Sequence, residues 1–207
     1  MPKGSKELTE SRKEEIVDAC AELYKTMSFR EMTIKEIGDA TSFTRTSVYN
    51  YFQTKEEIFL ALLRREYMLW TDRLHQLRTE NITMDRLAFA DAVAHSLEQR
   101  KNLLKLLSMN HYDMEENSRE ERLVEFKVVY GRALAEMRSC LRQFFPEMTD
   151  DFINDFIYAF FPFMFGIYPY AYVTEKQKRA MEKADVEFTF MSVYDITFAE
   201  VKRLLGV

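Results

Sequence analysis

The sequence has few of the residues that interrupt regular structure. Five glycines and four prolines occur among 207 residues, and a protein built from many strands and turns needs more of both. Apolar residues make up 47% of the chain, and a chain of this length can bury a sizeable core. The composition therefore predicts a compact all-α protein.

Cysteine and histidine are scarce as well. Cys20 and Cys140 lie far apart on apolar helical faces, which predicts buried, reduced thiols rather than a disulfide or a redox pair. The three histidines are dispersed, and no His-x-x-x-His or cysteine pair has metal-ligand spacing. We predict no metal site and no cofactor.

Catalytic and targeting signals are missing too. The sequence has no glycine-rich phosphate loop, no Gly-x-Ser-x-Gly turn and no zinc signature, and its many carboxylates fall on solvated helix faces, where acid–base chemistry has no reason to arise. The first 15 residues are polar throughout, unlike a signal peptide. These absences predict a non-enzymatic, cytoplasmic protein.

What the sequence does contain is a pair of short helices joined by a tight turn, between Thr33 and Phe52. Thr33 and Glu36 have the spacing of a capping box, and a second helix start lies at Thr44. Val48 and Phe52 then stand one turn apart, so that one face is apolar and the opposite face is polar. A short helix supported from behind is the geometry that enters a DNA major groove.

Residues 16 to 63 resemble the DNA-binding head of the tetracycline repressor (TetR) family. The resemblance covers, in order, helix one, a helix two that starts at a threonine, a recognition helix ending in Tyr-x-Tyr-Phe, and the Thr-Lys-Glu-Glu that follows. Ser42 stands in the turn, where the family often has glycine. The resemblance implies a three-helix helix-turn-helix domain, predicted at residues 1–56, and a helical-bundle ligand-binding and dimerisation domain at residues 57–207.

The predicted DNA contacts lie on and around the recognition helix. Arg45 is in its first turn, where a guanidinium can bind guanine O6 and N7 or can remain a solvated charge. By the resemblance, Thr33, Tyr49 and Lys55 contact backbone phosphates. The whole predicted set is Thr33, Thr44, Arg45, Thr46, Ser47, Tyr49, Asn50, Tyr51 and Lys55, and its division into base and phosphate contacts stays open.

Charge gives this prediction little support. The net charge is −5, and residues 71–207 hold 22 acidic and 18 basic residues, so most of the excess acid lies outside the head. Binding to phosphate would have to depend on a few well-placed basic residues.

Hydrophobic spacing predicts the remaining helices. A polar arm to Glu10 precedes a helix that starts at the Ser11/Glu14 capping box. A rod of 26 residues without glycine or proline, Thr54 to Thr79, would be roughly 39 Å long. Further helices are predicted near residues 87–97, 100–109, 123–144, 149–173, 174–183 and 186–205, with a polar break at 110–117.

Residues 156 to 173 contain no charged residue over 18 positions, which reaches the length of a membrane span. Pro162, Gly166 and Pro169 argue against a span. We predict instead a helix buried on most sides, first by its own body and then by a partner, and hence a homodimer without membrane attachment. The resemblance likewise implies a four-helix interface between subunits.

The resemblance also implies an effector pocket inside the body. Aromatic and methionine residues of the long helices suit a flat, apolar molecule, and Trp70 and Tyr130 combine apolar bulk with a polar tip. Ordinary core packing is the alternative for each residue. The predicted set is Trp70, Leu74, His111, Phe126, Tyr130, Met137, Phe156 and Phe160.

These patterns lead to one hypothesis and two alternatives. The hypothesis is a dimeric, ligand-responsive regulator, a repressor released from a near-palindromic double-stranded DNA operator by a small apolar or aromatic molecule. The first alternative is a protein-interaction module, which the weak positive charge of the head favours. The second is a membrane-attached helical sensor that uses residues 156 to 173.

Overall fold

The computed structural model of this chain describes residues 3–109 and 111–207. Within these residues the chain forms α-helices and no strand, so the predicted all-α class, with a helix-turn-helix domain followed by a helical domain, is confirmed. The helices are α1 (Lys3–Tyr24), α2 (Ile34–Asp39), α3 (Arg45–Val48), α4 (Lys55–Glu80), α5 (Arg86–Glu98), α6 (Lys101–Leu107), α7 (His111–Glu116), α8 (Glu120–Phe144), α9 (Asp150–Ala171), α10 (Glu175–Lys183) and α11 (Val193–Leu205).

Side-chain caps start several helices at the predicted residues. Thr33 accepts a hydrogen bond from the amide of Lys35 (3.2 Å), while its own amide donates to Glu36 (3.1 Å). Thr149 and Thr174 accept in the same way, each from the amide three residues on, at 3.2 Å. Each cap satisfies a backbone donor that has no partner inside the helix.

Two of the long predicted helices are confirmed. Helix α4 is continuous over 26 residues, as expected of a segment without glycine or proline. Helix α8 buries Phe126, Ala133, Met137 and Cys140 at three-and-four spacing, and ends just before Pro146, as predicted.

The predicted N-terminal arm is wrong, because helix α1 already begins at Lys3 and runs through Ser11. Lysine and glutamate are good helix formers, and Lys13 pairs with Glu10 one turn earlier at 2.8 Å. A capping residue marks the start of a helix only if the residues before it are not helical. Here residues 3–10 are helical, and the helix continues through Ser11.

The predicted polar break at residues 110–117 is also wrong. Helix α7 (His111–Glu116) occupies most of it, with Met114 only 1% exposed, and the side chain of Asn117 donates to the carbonyl of Asp113 (2.8 Å) at its C-terminal end. One anchored apolar side chain holds this short helix, which is too little to produce an apolar period in the sequence.

The last helix begins at Val193, seven residues later than predicted. Ser192 and Asp195 form a capping box, in which the Ser192 hydroxyl accepts from the Asp195 amide (3.0 Å). Asp185 ends the preceding segment with a left-handed backbone, φ 52°. Residues 186–192 therefore form a non-helical strap between α10 and α11, and Phe190 of the predicted helix lies in this strap with 57% of its surface exposed.

The chain divides into two compact units. The first contains Met1–Glu66 and Asn110–Tyr130, and the second contains Tyr67–Met109 and Gly131–Val207. Each has its own buried core, with Cys20, Ile37, Val48 and Phe59 in the first unit and Trp70, Phe89, Leu104, Phe160 and Val201 in the second. The boundary expected between residues 56 and 57 stays a prediction.

Both cysteines are free and buried, as predicted. Burial raises the pKa of the Cys20 thiol to about 12 and that of the Cys140 thiol to about 12. Neither forms the nucleophilic thiolate at neutral pH.

Helix α9 has one buried and one open side. Ile153, Phe156, Phe160 and Met164 are among its buried residues. The opposite side exposes Phe152 (38%), Tyr158 (72%), Phe165 (36%) and Tyr170 (62%), and we call these four residues the α9 face. No single helix among the described residues is long and apolar enough to cross a membrane, and α9 with α10 passes that test only as a pair bent by 82°.

Candidate functional site

The helix-turn-helix presents a polar surface in front of an apolar support. Val48 and Phe52 are buried, at 0% and 1% exposure, as predicted. Helix α3 is a single turn, and the chain continues it in hydrogen-bonded turns in which the Val48 carbonyl accepts from the amides of Tyr51 (2.9 Å) and Phe52 (3.0 Å). Residues 44–52 therefore form one compact unit, which we call the knob.

The predicted DNA contacts fall into three positions. Seven of them lie on the knob. Thr44, Arg45, Thr46 and Asn50 are exposed there, and Ser47 and Tyr51 are half-buried. Tyr49, 45% exposed, completes the knob. Thr33 lies at the start of α2 and Lys55 at the start of α4, and whether each contacts DNA stays a prediction.

Arg45 and Tyr49 form a pair on the exposed side of the knob. An Nη2 hydrogen of Arg45 is directed to the Tyr49 hydroxyl (3.4 Å), and the guanidinium carbon lies 6.0 Å from the Tyr49 ring centre. The pair is separated by one helical turn, so the tyrosine limits the rotamers of the arginine. The guanidinium keeps several donors for an acceptor outside the protein.

Thr44 precedes α3 as predicted, but its side chain does not cap the helix. Its hydroxyl lies 3.1 Å from the Ser47 hydroxyl, while its carbonyl accepts from the Ser47 amide (2.8 Å). The first backbone amides of α3 are therefore open to an acceptor such as a phosphate oxygen.

Lys55 has a supporting role that the sequence did not indicate. Its ammonium donates to the carbonyls of Phe29 (2.9 Å) and Met32 (3.2 Å) and lies 4.1 Å from the Phe29 ring centre. These bonds hold the loop that leads into α2. One ammonium hydrogen remains, so supporting the loop leaves Lys55 with a donor for a phosphate.

The turn between α2 and α3 is held by helix α1. The amide of Ser42 donates to Glu15 (2.5 Å), and Arg12 donates to the Ser42 hydroxyl (2.9 Å) and lies 4.7 Å from the Phe43 ring centre. Hydrogen bonds to Glu15 from the Ser42 side chain and amide, and to a smaller extent the charge of Arg12, hold the pKa of the Glu15 carboxyl below its usual value. Positive φ occurs among the described residues only at Asp185 and Gly206, so Ser42 replaces glycine without backbone strain.

Gly38 is a positioning residue that the sequence analysis missed. A Cβ atom built on it would lie 3.1 Å from Cα of Arg45 and 3.5 Å from Cγ2 of Val48. Only glycine lets α2 approach the first residue of α3 so closely. The signal available in the sequence was the position of this glycine inside a predicted helix. Glycine destabilises a helix, so its presence there indicates a close packing contact.

A second missed feature supports the C-terminal side of the knob. The Glu57 side chain, 1% exposed, accepts from the Gln53 amide (2.9 Å) and from Nε (2.6 Å) and Nη2 (2.8 Å) of Arg119. Arg122 donates to the carbonyl of Tyr51 (3.0 Å), and Thr54 donates to the carbonyl of Asn117 (2.8 Å).

We call Asn117, Arg119 and Arg122 the α8 clamp. Burial raises the pKa of the Glu57 carboxyl, but the hydrogen bonds from Arg119 and from backbone amides outweigh burial, so this pKa is lowered. The clamp ties the start of α8 to the residues that follow the recognition helix, more than 60 positions away in sequence, and no local pattern reveals such a contact.

The predicted effector residues are divided between the two units, and whether they line one pocket stays a prediction. Trp70, Leu74, Met137, Phe156 and Phe160 are buried in the second unit, whereas Phe126 and Tyr130 belong to the first unit. The side chain of His111 lies outside the described residues. Trp70 packs on Phe160 at 6.4 Å between ring centres, and its indole N–H donates to Ser96 (3.0 Å), so its polar tip already has a partner.

The second unit contains a cavity of about 440 Å³ away from these residues. Its walls come from the C-terminal half of α9, from the strap and from Ile196 of α11. Metal binding has no support in the described part of the chain, where no group of three or more histidine, cysteine or acidic side chains could hold an ion.

Comparison with known proteins gives two family matches. Residues 16–62 match the family described as bacterial regulatory proteins, tetR family, and residues 64–195 match the family described as tetracyclin repressor-like, C-terminal domain. A 62-residue segment is 34% identical to YfiR of Bacillus subtilis strain 168, an uncharacterised helix-turn-helix-type transcriptional regulator. That match spans 30% of this chain and 30% of YfiR.

Solved structures agree over nearly the whole chain. The fatty acid degradation regulator FadR from Bacillus halodurans superposes with a TM-score of 0.59 at 14% identity, covering 94% of each chain. A protein from Mesorhizobium loti MAFF303099, described as a TetR-family transcriptional regulator, gives 0.61 at 16% identity over 96% of each chain. Identities this low establish a shared fold and not a shared ligand.

Proposed function

This chain belongs to the TetR family of transcriptional regulators, and from that premise we propose that it is a dimeric repressor that leaves its operator when a small apolar molecule binds. Members of the family are DNA-binding regulators and not enzymes. The observation that carries the proposal is the knob at residues 44–52, whose polar side chains are exposed while Val48 and Phe52 are buried behind them.

The chemistry of the knob suits a DNA groove. Arg45 offers a fork of donors that matches guanine, and Asn50 can pair with adenine through its side-chain amide. Thr44, Thr46 and Ser47 add short hydroxyl groups, which bind bases or phosphates without filling the groove. Thr33, Tyr49, Tyr51 and Lys55 would contact the sugar–phosphate backbone around them.

Dimerisation is proposed from the α9 face. Four aromatic side chains between 36% and 72% exposed lie along one side of a single helix, and a patch of this kind marks a protein interface. A two-fold symmetric pair would place two knobs on one side of DNA, and the operator would then be near-palindromic, with half-sites roughly 34 to 36 Å apart or a multiple of that distance.

Release would be a population shift. A ligand that binds one conformation of the second unit more tightly than another favours that conformation, and helices α4 and α8 contribute residues to both units. A nearly complete switch between states requires a difference in affinity of about 10⁴-fold.

The proposal predicts specific binding to DNA from the chain's own upstream region. Replacing both Arg45 and Tyr49 by alanine should weaken that binding by at least about 30-fold, since each contact contributes about 1 to 3 kcal/mol. The measurement is a titration by fluorescence anisotropy at several salt concentrations. The affinity of the wild type should fall with log–log slope of about −0.9 per neutralised phosphate.

Arg179→Ala is the matched control, because it removes the same charge from an exposed position on α10. Its affinity should stay within about twofold of wild type. Absence of DNA binding by the wild type at low ionic strength would reject the proposal and favour a protein-interaction module. Equal binding by the double variant and the wild type would reject the recognition role of the knob alone.

A further inference from the structure

We propose that the cavity between α9, the strap and α11 is a binding site for an apolar molecule that carries one positive charge. Its volume of about 440 Å³ lies within the range of small-molecule sites. Binding of such a molecule is inferred from the cavity alone. Only the further step, that this molecule is the effector that releases the operator, rests on the proposed function.

Aromatic side chains form the walls of the cavity. Phe163 and Tyr170 come from α9, and Phe188 comes from the strap. Tyr170 and Phe188 lie nearly parallel, with ring centres 6.2 Å apart and an interplanar angle of 25°. The face of an aromatic ring is electronegative, so aromatic walls favour an apolar cation over an apolar anion.

Space for the ligand comes from Gly166. A Cβ atom at this position would meet no other atom within 4 Å, so the glycine leaves room beside α9 that a larger side chain would fill. The strap that forms the other wall is fixed at both ends, by the Val186 amide, which donates to the Met181 carbonyl (3.0 Å), and by the Ser192 capping box.

The charge of the lining selects the charge of the ligand. Glu187 is the one charged residue among the nine described residues that line the cavity, and none of the nine is basic. Lys178 lies beside the strap, 5.3 Å from the Phe190 ring centre, but is paired with Glu175 at 2.8 Å. The Glu187 side chain is exposed, so it repels a carboxylate ligand and gives a positively charged ligand a solvent-screened ion pair, in addition to the contact with the rings.

A second copy of this chain is a weaker candidate for the occupant. The α9 face borders the cavity through Tyr170, but helix α9 contains no lysine or arginine in any of its 22 residues. A partner's α9 could fill the space with apolar groups and would leave Glu187 unpaired. A small organic cation satisfies both the rings and the carboxylate.

Two ions of the same shape and opposite charge test this inference. Tetraphenylphosphonium and tetraphenylborate are both apolar and bulky, and differ in the sign of their single charge. Isothermal titration of the full-length protein should show phosphonium binding at least about tenfold tighter than borate binding. The buffer contains sodium and no potassium, because potassium tetraphenylborate is insoluble.

Two variants connect the binding to the cavity. Glu187→Gln should weaken phosphonium binding by about three- to tenfold and strengthen borate binding, so that the preference between the two ions is largely lost. Gly166→Leu should block both ions by filling the space. Glu182→Gln, an exposed carboxylate on α10 outside the lining, is the matched control and should keep the wild-type preference.

Each outcome decides a separate point. Equal binding of both ions by the wild type, or a preference that survives Glu187→Gln, overturns the inference. Binding of neither ion by a dimeric wild type means that the partner chain fills the cavity, and also overturns it. Operator affinity is measured on the same samples: DNA binding without ion binding leaves the proposed function intact, and ion binding without operator release overturns only the effector role.

Discussion

Gly38 governs how closely the two helices of the head approach each other. A Cβ atom added to Gly38 would lie only 3.1 Å from the Cα atom of Arg45. Backbone atoms cannot move aside as a flexible side-chain tip can, so the added methyl group has to displace α3 as a whole.

Gly38→Ala should therefore weaken operator binding by about tenfold and destabilise the protein by about 1 to 3 kcal/mol. Displacing α3 by a few tenths of an ångström misaligns Arg45 and its neighbours with the groove. DNA affinity is measured by anisotropy and stability by urea denaturation.

The control is Gly131→Ala, on the exposed side of α8, where an added Cβ atom meets nothing within 4 Å. It should leave operator binding unchanged and stabilise the protein by about 1 kcal/mol, because alanine is the better helix former. If Gly38→Ala bound the operator as tightly as Gly131→Ala, the close approach of α2 and α3 would have no part in DNA binding.

Other single residues differ in how far the sequence predicted them. The inward direction of Val48 and Phe52 follows from helical spacing, and the structure confirms it. Lys55 was predicted as a phosphate contact on resemblance alone, whereas its two hydrogen bonds to the carbonyls of Phe29 and Met32 depend on a loop that no spacing rule places. The DNA contacts of all nine predicted residues stay predictions.

At the scale of elements, the α8 clamp determines whether the residues after the recognition helix keep their positions. Arg119→Met would leave the Glu57 carboxylate buried with only backbone donors. We expect a loss of about 2 kcal/mol in the free energy of unfolding, since hydrogen bonds to charged groups are stronger than neutral ones and part of Arg119 is in water. Glu57→Gln with Arg119→Met should recover part of this loss.

A double-mutant cycle measured by chemical denaturation gives the coupling between the two side chains. A coupling energy near zero would show that the clamp does not hold this part of the fold. Lys127→Met, which removes an exposed ion pair between Lys127 of α8 and Glu115 of α7, is the control and should change stability by less than about 0.5 kcal/mol.

The same pair predicts a dependence on pH. The folded protein lowers the pKa of the Glu57 carboxyl below its ordinary value of 4.5. The stabilisation is therefore fully present above pH 4.5 and is lost as the pH falls through the lowered pKa. Stability curves of the wild type and Glu57→Gln should converge below pH 4.5, and curves that stay parallel there would contradict this assignment.

Whole elements were predicted well when their packing faces were long. Helices α4, α8 and α9 have many core positions, so their apolar period is strong. Helix ends were predicted less well, because several capping signals compete and tertiary contacts decide among them. Helix α1 continues through Ser11, where the sequence predicted a cap. Helix α11 starts at the cap formed by Ser192, which lies inside an apparently regular apolar pattern.

For the molecule as a whole, the α9 face predicts how a dimer forms. Tyr158 is the most exposed of its four side chains, at 72%, and an aromatic side chain that becomes fully buried contributes strongly to an interface. Tyr158→Glu should raise the dimer dissociation constant by at least about 100-fold, equivalent to about 2.7 kcal/mol, because it would bury an unpaired charge.

Sedimentation velocity over a range of concentrations measures the effect. Ile82→Glu is the control, since this side chain is 89% exposed in the loop after α4, and it should not change the sedimentation coefficient. Tyr158→Glu should also weaken operator binding, because two half-sites are bound tightly only by a linked pair of heads. A dimer that survives the substitution would place the interface elsewhere.

Local pattern was enough to establish the helical class, the family of the head and the inward or outward direction of most residues in the recognition knob, because these properties depend on spacing within one or two helical turns. Contacts between distant segments required the folded chain. The α8 clamp on Glu57 joins residues more than 60 positions apart, the close approach at Gly38 depends on how two helices pack, and the cavity beside Gly166 depends on empty space. None of these is encoded in a local period. Trp70 illustrates the difference: its residue type suggested a binding site, which stays a prediction, whereas its contacts with Phe160 and Ser96 are seen only in the folded chain.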